Sequence, residues 1–193
     1  MGKVICFTGR RPKDLCGYNW DSYKTFAYDL MDYLEKLILE GYDTFITGGA
    51  QGFDQIAFWA VYKLQKKYPD IKNILYVPFE GQENKWAEYG PFSKKEYASI
   101  RKLATSVNVL VKTVYQTSEY GKCLLSRNEH MVDDADAVIA LYPDDTWKTA
   151  ARGGTSYTMR YAHGTGKTIL QIKYMISDNV LHFGSTEVIE SKH

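Results

Sequence analysis

Cysteine is scarce in this chain. Cys6, Cys16 and Cys123 are odd in number and show no C-x-x-C spacing. A disulfide framework is excluded, and the pattern reads as reduced thiols. Histidine is as sparse: His130, His163, His182 and His193 form neither H-x-x-x-H nor H-E-x-x-H. No metal site is expected from them. Long apolar runs are missing too, since none approaches the roughly 18 residues that a membrane span requires. Met1 leads straight into an apolar run rather than a signal segment. Together these absences predict a soluble, cytoplasmic protein with no membrane partner. An excess of charge of one sign is also absent. Lys and Arg total 24 against 23 Asp and Glu, a formal net charge of +1. A protein whose main work is coating nucleic acid usually carries a clear basic excess. That class is disfavoured, although a local basic patch is compatible with the balance.

What is present is an alternation. Apolar runs at Lys3–Thr8, 44–47, 73–77, 107–111, 137–141 and 168–172 read as short strands. Between them lie apolar stripes at helical spacing, such as Tyr23, Phe26, Leu30, Leu34 and Leu37, then Phe53, Ile56, Ala60 and Leu64. Further helices are predicted from a capping box at Ser93–Glu96, over 121–133, and over 155–163. Pro78 is read as the end of the third strand. Residues 80–91 and 113–120 are read as polar loops. No linker, repeat or low-complexity stretch interrupts the order. The 193 residues are therefore expected to form one domain, with a core over about 3–172. The tail 177–193 has a weak pattern that would suit an edge strand. The expected fold class is α/β, an open, mainly parallel sheet with helices on both faces. Ligands of such sheets bind at the carboxyl ends of the strands, where the strand order reverses.

Four constellations lie at that edge. The first is Thr8-Gly9-Arg10-Arg11-Pro12, a turn with two forked cations suited to phosphate or carboxylate. The second is Gly48-Gly49-Ala50-Gln51-Gly52-Phe53-Asp54, a glycine turn opening a helix. Unpaired N–H groups and the helix dipole make such a turn a place for an anion. Its spacing is neither G-x-G-x-x-G nor G-x-x-x-x-G-K-[ST]. Asp54 would cap the helix or bond a ribose hydroxyl. The third is Arg127-Asn128-Glu129, a cation, an amide and a carboxylate in one helical turn. A solvent-facing helix surface would carry the same residues. The fourth is Arg152-Gly153-Gly154-Thr155-Ser156, a second glycine pair at a helix start. The 16 tyrosines are read mainly as packing residues, with base stacking as the sharper alternative. Tyr142 and Trp86 are the candidate stackers.

In this order, these blocks resemble the SLOG superfamily, which holds the Smf/DprA proteins and the LOG nucleotide hydrolases. The nearest branch is the YpsA-like one. The resemblance runs over roughly residues 3–172 and adds Pro78-Phe79, Gln82 and Asp136-Ala-Val-Ile-Ala-Leu141. It implies a Rossmann-like domain over 1–193 that holds a nucleotide-related ligand, and no cofactor beyond that ligand. The ligand-binding set it suggests is Thr8, Gly9, Arg10, Arg11, Gly48, Gly49, Gln51, Gly52, Asp54, Arg127, Asn128, Tyr142, Gly153, Gly154, Thr155 and Ser156. The leading expectation is a binding protein for a nucleotide or an ADP-ribose/NAD-like molecule that senses or sequesters it. The first alternative is a LOG-type hydrolase of the N-glycosidic bond, with Glu129, Arg127 and Asp54 as its charged groups. LOG enzymes carry a glutamate shortly after the second glycine pair. Here Gly153-Gly-Thr-Ser-Tyr-Thr-Met-Arg160 holds no carboxylate, which argues for holding the ligand over cutting it. The second alternative is a single-stranded DNA binder of Smf/DprA type. A homo-oligomer is compatible with all three.

Overall fold

The apolar run at the start of the chain becomes β1 (Lys3–Gly9), the centre of a seven-stranded sheet. A computed structural model describes residues 2–112, 114 and 116–191. His193 and positions 113 and 115 of the expected polar loop lie outside the described residues. In chain order, β1 is followed by α1 (Lys24–Leu39), β2 (Tyr42–Thr47), α2 (Phe53–Leu64), β3 (Lys72–Phe79), α3 (Lys94–Leu103) and β4 (Ser106–Val111). Then come α4 (Tyr120–Asp133), β5 (Ala137–Leu141), α5 (Gly154–Gly164), β6 (Thr168–Ser177) and β7 (Val180–Ile189). The sheet order is β4-β3-β2-β1-β5-β6-β7. All neighbours are parallel except the β6–β7 hairpin. The architecture is thus the Rossmann-like open sheet of the sequence reading.

Alternation of side chains along each strand builds a core on each face. Ile5, Phe7 and Phe45 face α1 and α2, with Phe26, Leu30, Leu34, Phe53 and Ile56 packed against them. Cys6, Val138 and Ala140 face the other way, against Met131 of α4 and Met159 of α5. At the far edge, Leu75 and Val77 meet Phe58, Tyr97 and Ile100. Cys6 is a fully buried core residue, and burial drives its thiol well above its ordinary range. Among the described residues, no helix is long and apolar enough to cross a membrane.

Two local expectations change. Pro78 lies inside β3 rather than ending it. The β2–β3 ladder stops at Thr47↔Leu75, and the β3–β4 ladder skips from Val77 to Phe79. No ladder bond is asked of position 78, so its missing N–H costs nothing there. The tail 177–193 supplies the whole of β7, and β6 runs on past Ile172 to meet it.

The capping box at α3 is also modified. Ser93 Oγ accepts from Glu96 N at 3.3 Å, but Glu96 Oε2 accepts from Phe92 N at 2.7 Å, one residue further back. Ser93→Ala is expected to lower stability by about 1 kcal/mol, read as a shift of the urea midpoint with an unchanged slope.

Candidate functional site

Successive connections leave β1 in opposite directions. β2 lies on one side of it and β5 on the other, so the strand order reverses at the carboxyl end of β1. A cleft of about 570 Å³ opens at that place. This is the size of a small-molecule site.

Of the sequence-derived set, Thr8, Gly9, Arg10, Arg11, Asp54, Arg127, Asn128, Gly153, Gly154 and Thr155 line the cleft. Lys13, Asp14, Arg152, Tyr157 and Arg160 line it as well, and Gly121, Leu124 and Leu125 of α4 give it an apolar wall. Six cationic side chains therefore face two carboxylates in a chain with almost no net charge. The local basic patch that the composition allowed is concentrated here.

The second glycine pair is the open end of the cleft's polar wall. Gly153 stands at φ 129° before α5, and no side chain caps the helix. Among the described residues, no protein acceptor takes the N–H of Gly154, Thr155 or Ser156. Thr155 Oγ1 instead donates to Gly9 O at 2.8 Å and ties this turn to β1. Ser156 is buried and donates to Gly153 O at 3.0 Å, beneath the surface of the cleft.

The first glycine turn is used differently. Gly49 N donates to Thr47 Oγ1 at 2.9 Å, and Ala50 N points at Asp54 Oδ2 at 3.4 Å. Phe53 N donates to Arg10 O at 3.2 Å. Ala50 and Asp54 reach the cleft, whereas Gly48, Gly49, Gln51 and Gly52 do not line it. An N–H cradle spanning 48–52 is corrected accordingly: Gly49 and Ala50 have spent their donors inside the protein. Gln51 donates to Phe92 O at 2.8 Å, away from the cleft. Gly52, at φ 95°, brings α2 against the arginine loop; a Cβ there would lie 2.5 Å from Arg10 O.

Arg127 is the strut of the site. It is 3% exposed, so the solvent-face reading of 127–129 fails for it. Its Nη1 donates to Gly48 O at 2.5 Å, and its Nε to Asn128 Oδ1 at 2.9 Å. Asn128 Nδ2 donates to Thr158 Oγ1 at 2.8 Å, which joins α4 to α5. Burial pushes the Asp54 carboxyl up, opposed first by Arg127 and then by Arg11. Burial likewise pulls the Arg127 guanidinium down, with Asp54 opposing. The two groups support each other's charge at the cleft floor.

The candidate stackers are both occupied. Tyr142 is 3% exposed, with the Arg10 guanidinium 4.3 Å above its ring. It orients Arg10. Trp86 packs edge-on against Tyr97 at 5.2 Å. In the same loop, Gln82 Nε2 donates to Tyr97 Oη at 2.5 Å. Glu129 does not line the cleft; its carboxylate accepts from the Tyr157 hydroxyl. Among the described residues, no group of three His, Cys, Asp or Glu side chains is placed to hold a metal.

The sequence reading missed Lys13, Arg160 and the Leu124–Leu125 wall. Arg160 had a usable signal, since it follows the second glycine pair by two helical turns. Its Nη1 clamps Trp147 O and Ala150 O at 2.7 and 2.9 Å and so holds the loop before α5.

Known proteins resemble this chain in sequence and in fold. The model of the YspA SLOG family matches residues 5–176. The SPbeta prophage-derived protein YoqJ of Bacillus subtilis (strain 168) is 33% identical over 141 residues, covering 70% of this chain and 79% of YoqJ. A UPF0398 protein of Bacillus thuringiensis (strain Al Hakam) is 28% identical over 145 residues, 74% of this chain and 76% of its own. Among solved structures, DNA processing protein A from Helicobacter pylori, described in a single-stranded DNA binding mode, superposes with a TM-score of 0.55 at 16% identity. That likeness covers 88% of this chain but 65% of the other, and it bears on the fold.

Proposed function

The chain belongs to the YspA SLOG family, and from that premise we propose that it binds a nucleotide or an ADP-ribose/NAD-like molecule in the cleft at the end of β1. The observation that carries the reading is the unpartnered first turn of α5, where Gly154 and Thr155 line the same cleft as Arg10, Arg11, Lys13 and Arg152. Helix N-termini with free N–H groups favour anions. The apolar wall of Gly121, Leu124 and Leu125 gives a base or nicotinamide ring a surface. Thr8, Gly9, Asp54, Asn128, Gly153 and Thr155 complete the proposed site.

Calorimetric titration with AMP, ADP-ribose and NAD tests this reading. A dissociation constant well below about 1 mM, near 4 kcal/mol, is the expected outcome for at least one of them. Arg152→Ala is expected to weaken that ligand roughly tenfold, the loss of one charge-assisted contact. No binding by any of the three ends the proposal.

Hydrolysis of the glycosidic bond is the weaker reading. Glu129 does not line the cleft and is engaged by Tyr157, and Asp54 is buried. Release of free base from a nucleotide panel would reverse that order. Single-stranded DNA in the same cleft is favoured by its excess of cations and would show binding that falls steeply with salt.

A further inference from the structure

The opposite face of the sheet carries a second groove that the cleft does not use. It runs between α1 and α2 and on to the start of α3, as two bays of about 300 Å³ each. Trp20, Trp59 and Glu96 belong to both bays, so the groove is continuous. Ala27, Met31, Ile56 and Ala60 form the apolar floor of the first bay. Its rim carries Tyr28, 62% exposed, with Lys63 Nζ 5.7 Å from the ring. Beside the second bay, Tyr89 is 72% exposed, with Lys95 Nζ 5.6 Å from its ring. Trp20 and Trp59, between the bays, are half-buried.

The groove is built rather than incidental. Phe92 is fully buried at φ 57°, an unusual conformation for a bulky residue. Its N–H is held by Glu96 and its carbonyl by Gln51. Trp20 packs on its ring at 4.5 Å. Glu96, the one acid lining the groove, thus spends a carboxylate oxygen inward. Three lysines line the groove with it: Lys24, Lys63 and Lys95. Lys24 pairs with Asp21 at 2.6 Å. Among the described residues, Lys63 and Lys95 have no ion-pair partner. Aromatic rings and lysines without ion pairs therefore lie along one channel: Tyr28 with Lys63, then the two tryptophans, then Lys95 with Tyr89. Channels that hold single-stranded nucleic acid combine these two elements, rings for bases and lysines for phosphates.

We propose that this groove binds a short single-stranded nucleic-acid segment, independently of the nucleotide cleft. Each bay would take one base, with the intervening phosphates on Lys63 and Lys95. The test titrates an oligothymidylate of about twelve nucleotides against the full chain, following tryptophan emission at several salt concentrations. Quenching is expected, because Trp20 and Trp59 stand between the bays. Lys63→Ala with Lys95→Ala is expected to weaken binding at least about fivefold and to flatten the logarithmic salt slope by roughly 0.7 for each lysine removed. The double variant should bind nucleotide in the cleft as the parent does. Loss of oligothymidylate binding in Arg152→Ala, with the lysine variant unaffected, would place the strand in the cleft and overturn the proposal. So would an absence of binding, or preference for an acidic aromatic peptide with no response to the oligonucleotide.

Discussion

Replacing Arg127 with methionine is expected to cost about 3 kcal/mol of stability or more, because buried carbonyls lose their donor and a buried carboxylate loses its main opposing charge. For a chain of this length that is a fall in melting temperature of roughly 10 °C. The reason lies in what stays behind. Asp54 is 7% exposed and keeps its carboxylate with its main opposing cation gone. Gly48 O loses its 2.5 Å donor and Tyr76 O its 3.4 Å one. The sign of the pH dependence follows. In the parent, burial already holds Asp54 above its ordinary value against Arg127. Without Arg127 the folded-state value rises further. A carboxyl raised in the folded state favours folding below its unfolded value, and that advantage is lost as pH rises through the folded one. The penalty of Arg127→Met should therefore shrink between about pH 7 and about pH 4. Adding Asp54→Asn to Arg127→Met should recover part of the loss, because no unpaired charge is then left buried. A double-mutant cycle by urea denaturation reads this directly. An Arg127→Met variant within about 1 kcal/mol of the parent, insensitive to pH, would contradict the strut role.

Much of the fold was legible because its signals are local. Apolar runs of four to six residues, separated by helical stripes, specify a parallel sheet without any knowledge of contacts. The glycines at 48–52 and 153–154 marked the right edge of it. Their division of labour was not legible. Whether an N–H is free depends on which acceptor the fold brings to it, and Asp54, Thr47 and Arg10 O bring theirs to the first turn only. The role of Arg127 was hidden for the same reason. Its main acceptor, Gly48 O, lies 79 residues away in sequence, and the helical turn Arg127-Asn128-Glu129 reads equally well as a solvated surface. The partner of Tyr142 was not legible either. Its place after a strand suggests a ring for stacking, and the first arginine of the β1 loop lies over it. The second groove left a trace only in composition, in the 16 tyrosines read mainly as packing residues.

Gly52→Ala and Gly41→Ala form the most discriminating pair of substitutions at the site. Both glycines stand at φ 95°. Both changes therefore carry a backbone strain of about 1 kcal/mol or more. At Gly52 ψ is −130°, a region that side chains avoid, and the surroundings differ as well. Around Gly41 a new Cβ meets nothing within 4 Å. At Gly52 it would lie 2.5 Å from Arg10 O and 3.1 Å from the Arg11 Cα, both backbone atoms that cannot rotate aside. The neighbouring Gly9 makes the same junction from the other side, with a Cβ there 2.4 Å from the buried Phe53 ring. The arginine loop and the start of α2 must move apart to admit the methyl group. That movement also pulls at the Phe53 N–H to Arg10 O bond, 3.2 Å long. Gly41→Ala is expected to cost about 1 kcal/mol and to leave ligand affinity unchanged. Gly52→Ala is expected to cost about 3 kcal/mol or more, by strain and overpacking together. It should also weaken nucleotide binding roughly tenfold, because Arg10 and Arg11 leave their places over the cleft. Equal losses in the two variants would mean that the close approach of the arginine loop adds nothing at Gly52. A Gly52→Ala protein with lowered stability but full affinity would mean that the arginine loop does not take its position from α2.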